Sequence, residues 1–216
     1  MTSLKKIMLL WGIPAAVGVT MGGLDAMAIE EAPYTVMEKS GDFELRKYPA
    51  TIVAETYVEG DFEDVGSEGF RRLAAYIGGK NTKKSSIAMT APVNQEAGSE
   101  KIAMTAPVSQ EQEGHRWRVA FVMPSSYTMD TLPRPDDDRI TLTEKPPRVM
   151  AAIRYSGTWG QKRYNEHQAQ LIGWIDGNGW EMAGEPVWAR YNPPFMPWFL
   201  RRNEILIPVQ IDQDKE

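Results

Sequence analysis

Two stretches of helical spacing interrupt a chain that otherwise alternates apolar and polar residues, and this order limits the folds open to it. Alternation is clearest in the segments FELRKY, RWRVAFVM and VMAAIRY, each of which predicts a half-buried β-strand. Helical spacing occupies residues 61–79, with Asp61 as the expected N-cap, and residues 161–175. The pattern therefore predicts two helices and about eight strands.

The same order of elements occurs twice along the chain. A hairpin, a helix and further strands precede the polar loop RPDDDR, and a strand, a helix and further strands follow it. Either half alone would leave one face of its sheet exposed, so the halves are expected to close against each other. The predicted fold class is α+β, with two pseudo-symmetric halves in a single domain.

The N-terminal segment differs from the rest of the chain. Two lysines precede the apolar run IMLLWGIPAAVGVTMGG, and the small-residue segment AMA ends at Ala28. This pattern is typical of a signal peptide cleaved after Ala28, which predicts export to the periplasm and a mature domain over residues 29–216. An uncleaved membrane anchor within residues 1–28 is the alternative, although Pro14 weakens it. In both cases membrane contact is expected only through this segment.

Composition excludes several functions. The formal net charge is -5, without the basic stripe that nucleic-acid binding requires, so no nucleic-acid partner is expected. The chain has no cysteine, which excludes disulfides, thiolate nucleophiles and cysteine-ligated metal sites. The two histidines are His115, in a predicted turn, and His167, beside the apolar stripe of the second helix. The position of His167 fits either a metal ligand or a core residue.

The heptapeptide IAMTAPV occurs twice, at residues 87–93 and 102–108, with the turn-forming segment NQEAGSEK between the copies. In a strand its Ile, Met, Ala and Val side chains would share one face, and the copies are expected to pair as an antiparallel hairpin. Small Ala and flexible, polarisable Met leave room for a flat apolar ligand. Two interpretations stay open: a ligand-lining wall that contains Met89 and Met104, or a patch of ordinary core.

Four segments resemble the SOUL or haem-binding-protein family: the doubled IAMTAPV, EGFRRLAAYIGGKN, WRVAFVMPSSYTMDTLPRPDD and ARYNPPFMPWFLRRNEILIPV. The likeness extends over residues 34–209. It implies a distorted antiparallel β-barrel with two helices, of the type also found in gyrase-inhibitor-like effector-binding domains. It further implies that haem or another tetrapyrrole binds in a shallow hydrophobic cleft, and that the protein acts as a carrier or buffer.

The resemblance also implies a binding surface beside the first helix, with basic residues that contact the haem propionates. It gives no catalytic residue and no fixed axial ligand, and His167 is the candidate for iron ligation. The candidate cofactor-binding residues lie in the first helix, shortly after it and in the two heptapeptides: Phe70, Arg71, Arg72, Leu73, Tyr76, Lys83, Lys84, Met89 and Met104.

Other classes of function stay open. A hydrolase-like enzyme that acts on a small hydrophobic molecule would use a buried carboxylate of raised pKa, for which Glu55 and Glu204 are the candidates. A sensor module for such a ligand is a further alternative. No HExxH, GxSxG or GxxxxGK(S/T) motif is present, so the sequence favours binding over catalysis. The segment RYNPPFMPWFLRRNE fits a buried crossover, a rim over the ligand site or a membrane-binding surface.

Overall fold

The computed structural model describes residues 29–84 and 98–211, so the predicted signal peptide and the first heptapeptide with Met89 lie outside the described residues. The helices are α1 (Phe62–Ile77) and α2 (Gln161–Gly177), and a short 3-10 turn spans Trp198–Leu200. The strands are β1 (Glu30–Glu31), β2 (Thr35–Ser40), β3 (Phe43–Tyr48), β4 (Thr51–Val58), β5 (Asn81–Thr82), β6 (Thr105–Ala106), β7 (Val108–Glu113), β8 (Arg116–Val122), β9 (Arg134–Pro135), β10 (Ile140–Lys145), β11 (Arg148–Tyr155), β12 (Glu181–Met182), β13 (Val187–Arg190) and β14 (Asn203–Gln210).

The longer strands form one antiparallel sheet. Its order is β10-β4-β8-β7-β13-β14-β11-β3-β2. The two-residue strand β12 also pairs with β14, outside this order. The outermost strands, β10 and β2, do not pair with each other, so the sheet curls into a barrel that stays open. The predicted α+β class and distorted barrel are confirmed, and nine of the described strands have four residues or more, close to the eight expected.

The two halves exchange strands. Only Pro49 and Ala50 separate β3 from β4, yet β3 pairs with β11 and β4 pairs with β10. In the same way only Pro146 and Pro147 separate β10 from β11. β10 pairs with β4, whereas β11 pairs with β3 and β14. Each proline corner leads the chain from one half of the sheet into the other. The part of the sheet under α1 therefore includes β10 from the second half of the chain, and the part under α2 includes β2 and β3 from the first half.

Each helix covers one half of the sheet, at the place that the spacing predicts. α1 packs on β4 and β8 over a core that includes Leu73 and Phe121, and α2 packs on β11 and β14 over Leu171 and Ile175. Asp61 occupies the N-cap position of α1, although its side chain accepts no capping hydrogen bond. Across residues 29–84 and 98–211, no helix has the length and hydropathy needed to cross a bilayer.

The second heptapeptide, residues 102–108, does not form the continuous hairpin arm that the sequence predicts. β6 pairs with β1 in parallel, whereas β7 pairs with β8 and β13. Pro107 between them has no backbone N–H to donate to a strand ladder. The expected alternation also fails, because Thr105 is buried with its hydroxyl donating to the Val122 carbonyl, while Met104 is exposed. The Met104 side chain therefore faces a surface cleft instead of the core.

Gly69 allows α1 to approach the sheet closely. A Cβ at this position would lie 2.6 Å from the side chain of Val119, whose β-branched rotamer is restricted. We expect Gly69→Ala to lower the free energy of unfolding by about 1–3 kcal/mol, because overpacking outweighs the ~1 kcal/mol that Ala gains over Gly in helix propensity. Urea unfolding measures the change.

Gly173 in α2 provides the matched control. Nothing lies within 4 Å of a Cβ built there, so Gly173→Ala is expected to stabilise the protein by about 0.5–1 kcal/mol. A stabilising effect of the same size at both glycines would contradict the close contact between α1 and β8.

Candidate functional site

One surface cleft has a mainly apolar lining. Its volume is about 500 Å³, in the range of small-molecule sites, and it opens between α1, the start of β7 and the loop that follows β13. Two other concavities of the described residues, of about 430 and 530 Å³, have more polar linings. The apolar and aromatic wall of the cleft includes Phe70, Met104, Val108, Trp159, Tyr191 and Phe195.

Arg190, the last residue of β13, brings positive charge to this cleft. Its guanidinium stacks over Trp188 and Trp159, 4.0 and 5.0 Å from the ring centroids, and its Nη2 donates to Gln110 Oε1 at 3.1 Å. Its buried Nε has no acceptor, and no carboxylate pairs with it in the described part of the chain. Burial lowers the pKa of Arg190 to about 10, so the group stays charged at neutral pH. An anionic ligand group can therefore neutralise a partly desolvated cation here.

Gly66 on α1 leaves space for this guanidinium. A Cβ at position 66 would lie 2.7 Å from Gln110 Oε1 and 3.1 Å from both terminal nitrogens of Arg190. Arg71, further along α1, also lines the cleft, and its Nε donates to the Ser67 carbonyl at 3.2 Å. Two guanidinium groups therefore reach one apolar cleft.

The loop after β13 forms one rim of the cleft through residues 192–195. Arg201 holds this loop in place: its Nε donates to the Met196 carbonyl at 2.8 Å and its Nη2 to the Pro194 carbonyl at 2.6 Å. The same guanidinium stacks 4.4 Å over the Trp159 ring. Of the interpretations that the sequence left open, the rim over a cleft applies, whereas the crossover into β14 is not buried, because Phe195, Trp198, Phe199 and Leu200 are exposed.

Three residues predicted to bind the cofactor, Phe70, Arg71 and Met104, lie together in this cleft. Two others, Leu73 and Tyr76, are fully buried in the core beneath α1 and do not line it. Phe70 lies on the same face of α1 and packs on Phe121 of β8, so the cleft begins at the edge of the core that Leu73 and Tyr76 fill.

The remaining predicted basic residues have partners elsewhere. Arg72 pairs with Glu68 on the same helix, and Lys83 Nζ lies 3.5 Å from a carboxylate oxygen of Glu100. Lys84 Nζ donates to a backbone carbonyl at 2.7 Å. None of the three lines the cleft, so their contact with a ligand stays a prediction.

His167 lines a separate groove, of about 530 Å³, between α2 and the end of β11. Its Nδ1 lies 2.8 Å from the Arg163 carbonyl oxygen, and its ring stacks on Tyr155 with the centroids 3.9 Å apart. The groove and the apolar cleft have no described lining residue in common. Iron ligation by His167 stays a prediction. The position of His167 does not favour it for a haem bound in the apolar cleft, because His167 lines the other groove.

The two candidate acids are engaged in ion pairs. Glu204 lies 2.6 Å from Arg46, and Glu55 lies 2.9 Å from Arg118 and 3.1 Å from Lys145. Burial alone would raise the pKa of each carboxyl, but hydrogen bonds and positive charges outweigh it and hold both pKa values below the ordinary 4.5. Neither group is the carboxylic acid of raised pKa that the hydrolase interpretation requires.

Comparison with known proteins identifies the family. The model of the SOUL heme-binding protein matches residues 29–208. The chain belongs to this family. It is 28% identical over 170 residues to heme-binding protein 1 of Xenopus laevis, covering 78% of this chain and 84% of that protein. It is also 28% identical over 204 residues to heme-binding protein 2 of Mus musculus, covering 87% and 93%. The resemblance inferred from the sequence is confirmed.

Solved structures share the fold of this SOUL domain at low sequence identity. The C-terminal domain of EcmrR has a TM-score of 0.51 at 14% identity, covering 82% of this chain and 98% of that chain. A hydrolase from Listeria innocua has a TM-score of 0.53 at 10% identity, covering 81% and 94%. At these identities the likeness shows a common fold alone.

The SOUL cleft offers limited means to coordinate iron. Within residues 29–84 and 98–211, no three His, Asp or Glu side chains are grouped to hold a metal ion. At the cleft, the thioether of Met104 and the phenol of Tyr191 are ligand types known for haem iron. The Tyr191 hydroxyl already donates to Glu204 at 2.8 Å, so Met104 is the better candidate.

Sequence analysis did not single out Arg190 and Trp159 as cleft residues of the SOUL domain. Arg190 ends the strand VWAR just before the aromatic loop, and a charge at this junction is the signal that was available. Trp159 comes from the second half of the chain, whereas Phe70 and Val108 come from the first. The pairing of β7 with β13 brings them together, and the periodicity of a single strand does not predict it.

Proposed function

We propose that this SOUL protein binds haem or another tetrapyrrole in the apolar cleft and acts as a carrier or buffer. The observation that carries the proposal is the presence, in one apolar cleft, of Arg190 without a carboxylate partner among the described residues. The family match and the names of its relatives, heme-binding proteins 1 and 2, support the same class of ligand.

Apolar contact supplies most of the affinity in this proposal. Burial of apolar surface contributes about 25 cal/mol for each Å² removed from water. Phe70 is already fixed against Phe121, with the ring centroids 5.4 Å apart, so it loses little freedom when a flat ligand covers it. Phe195 is 86% exposed and gains the most from contact with a macrocycle.

The propionates orient the macrocycle. A carboxylate beside Arg190 accepts charge-assisted hydrogen bonds from a guanidinium that stacking on Trp188 and Trp159 already holds in place. Arg71 provides a second, more exposed cation at the same cleft. Because these contacts need no metal, the proposal covers porphyrins without iron as well as haem.

We expect Arg190→Gln to weaken haem binding at least tenfold, because a charge-assisted hydrogen bond is worth about 1.5–3 kcal/mol. Titration of haem into the purified chain, followed through the Soret band, measures the dissociation constant. Arg154→Gln is the matched control, since Arg154 lines the other groove. Equal affinity in the two variants would contradict the assignment of the cleft, and the absence of a saturable Soret shift in the parent would contradict haem binding.

Titration with metal-free protoporphyrin IX separates binding of the macrocycle from ligation of iron. We expect both ligands to bind and Arg190→Gln to weaken both. Met104→Leu keeps the apolar contact and removes the thioether, so a loss confined to haem would identify Met104 as an iron ligand. We expect His167→Ala to keep the Soret position of the parent, because His167 lines the separate groove.

We also propose that the protein acts in the periplasm after cleavage at Ala28. The basic start, the apolar run and the small residues of AMA support this location. Ile29 lines the apolar cleft, so cleavage would bring a new α-amino group to the edge of the proposed binding site. Mass spectrometry of the chain recovered from the periplasm tests the proposal, and an intact Met1 would contradict it.

A further inference from the structure

A cluster of exposed apolar side chains projects from the loop between β13 and β14. Phe195 is 86% exposed, Trp198 56%, Phe199 58% and Leu200 62%. We call these four side chains the aromatic tip. A contiguous patch of large apolar groups on a soluble surface marks an interaction site. The proposed tetrapyrrole cleft uses only Phe195 from this set, so the other three need a separate explanation.

The backbone of the loop is ordered although its side chains face the solvent. The Leu200 N–H donates to the Pro197 carbonyl at 2.9 Å, and the Gly157 N–H donates to the Trp198 carbonyl at 3.0 Å. Arg201 adds its two hydrogen bonds to loop carbonyls. Satisfied backbone groups and the prolines keep the aromatic tip projecting, which lowers the conformational entropy that it loses on contact with a partner.

The groove that contains His167 adjoins the aromatic tip, because Phe199 and Leu200 form part of its wall. Its charge is mainly positive: Asp42 is the acidic residue of the described lining, and the basic side chains are Arg154, Arg163, Arg201 and Arg202, with His167 beside them. The surface thus combines a projecting apolar tip with a polar, basic groove at its base.

The positive charge of this groove is only partly neutralised by the protein itself. Arg202 is paired with Glu31 and Glu204. Arg154 and Arg163 form no salt bridge with a carboxylate in the described part of the chain. At least two guanidinium groups are therefore available to an anionic partner, although the whole chain carries a net charge of -5.

We propose that this surface docks the protein on an anionic lipid bilayer. The aromatic tip inserts at the interface, where Trp and Phe side chains are favoured, and the groove binds lipid phosphates at headgroup depth. Exposed apolar side chains beside a basic groove fit the layered chemistry of a membrane surface, in which phosphates lie outside the acyl chains. A second copy of the chain offers an acidic concavity, lined by Glu30, Glu31 and Glu144, and is therefore the alternative occupant that a measurement without vesicles distinguishes.

This proposal does not depend on which ligand occupies the apolar cleft. Phe195 belongs to both surfaces, however, and this places the mouth of the cleft beside the inserted tip. An apolar ligand dissolved in the bilayer could then enter the cleft without crossing water.

The test has to report on the loop itself, because the apolar run near the N-terminus can hold the full chain on vesicles without it. The chain has no cysteine, so Leu200→Cys gives one attachment point for an environment-sensitive NBD probe. His115→Cys is the matched control. The loop that carries the aromatic tip begins after Arg190, which pairs with Val108 at the start of β7. His115 follows the other end of that strand, about 20 Å from Val108 at ~3.3 Å per residue, and so lies far from the tip.

The labelled full-length chains are mixed with vesicles of phosphatidylcholine, with or without phosphatidylglycerol, that carry doxyl quenchers on their acyl chains. We expect several-fold stronger quenching at position 200 than at position 115 when phosphatidylglycerol is present. Trp198→Ser with Phe199→Ser should abolish this difference. Arg154→Gln with Arg163→Gln should reduce it on phosphatidylglycerol vesicles and leave the weak signal on phosphatidylcholine unchanged.

Two results would overturn the proposal. Equal quenching at positions 200 and 115 would mean that the chain associates with vesicles without inserting the aromatic tip. The emission of the NBD probe at position 200 is also recorded without vesicles at increasing protein concentration. A blue shift of this emission that grows with concentration would identify a second copy of the chain as the partner.

Discussion

Replacement of Glu204 by Gln is expected to lower the free energy of unfolding by about 3 kcal/mol. Glu204 is fully buried, 2.6 Å from Arg46 and 3.0 Å from Arg202, and Arg46 is itself only 2% exposed. A neutral Gln leaves a buried guanidinium without its main counter-charge. Arg46 keeps Glu44 at 2.8 Å, and for this reason we expect the lower end of the range of about 3–5 kcal/mol seen for broken buried pairs.

The effect of Glu204→Gln should depend on pH with a defined sign. Burial alone would raise the pKa of Glu204, but the hydrogen bond and charge of Arg46 and the charge of Arg202 lower it below 4.5. A carboxyl with a lowered pKa in the folded state contributes stability above its unfolded pKa and loses it as the pH falls through the folded value. The difference between parent and variant is therefore greatest near neutral pH and shrinks below pH 4.5.

Urea unfolding at neutral and acidic pH measures both effects. Asp137→Asn is the control for loss of an ion pair at the surface, because Asp137 and Arg139 lie 2.7 Å apart in an exposed loop where solvent screens them. We expect little change in that variant. A loss in Glu204→Gln no larger than the loss in the control would contradict the stabilising role of the buried network.

Phe62→Ala is expected to lower the free energy of unfolding by about 3–5 kcal/mol. Phe62 begins α1, yet its ring stacks on Trp188 with the centroids 4.6 Å apart and contacts Trp117 and Tyr164 at 5.1 and 5.5 Å. It is thus an aromatic residue of the first helix inside the core of the second half. Its removal creates a cavity between the halves and also loses the specific aromatic contacts.

Thermal and urea unfolding with near-UV circular dichroism test this prediction, because Phe62 contacts two of the seven tryptophans. Phe195→Ala is the matched control: the same side chain is removed from an exposed site, where a change within about 0.5 kcal/mol is expected. Similar losses at the two positions would show that Phe62 does not couple the halves.

Local features of the fold were predictable from the sequence. The three- and four-residue spacing gave both helices, and the alternation in RWRVAFVM gave β8, because each signal comes from neighbours along one element. The exchange of strands was not predicted, since β3 and β4 are separated by two residues and resemble a hairpin. The pair Pro49 and Ala50 is nevertheless unlike the Asn-Gly or Gly-containing pairs that close two-residue hairpins.

The candidate site was only partly predictable, for a related reason. Phe70 and Arg71 came from the family resemblance, but the sequence does not distinguish an arginine with a carboxylate partner from one without it. Arg46 finds Glu204 at a separation of 158 residues along the chain, whereas Arg190 finds two indole rings and an amide. Such pairings depend on the complete fold. The second heptapeptide was predicted to be one continuous strand, but Pro107 interrupts it and Met104 faces the cleft; the pairing of the two copies stays a prediction.

The exchange of strands between the halves also has a consequence during synthesis of the chain. β4 cannot pair with β10 until the ribosome has made the roughly 80 residues between them, which takes about 4–16 s at ~5–20 residues per second. Through that interval one backbone edge of a largely buried strand has no partner, and it can bind a chaperone or the edge of another nascent chain. A high contact order of this kind also slows the final folding step after release.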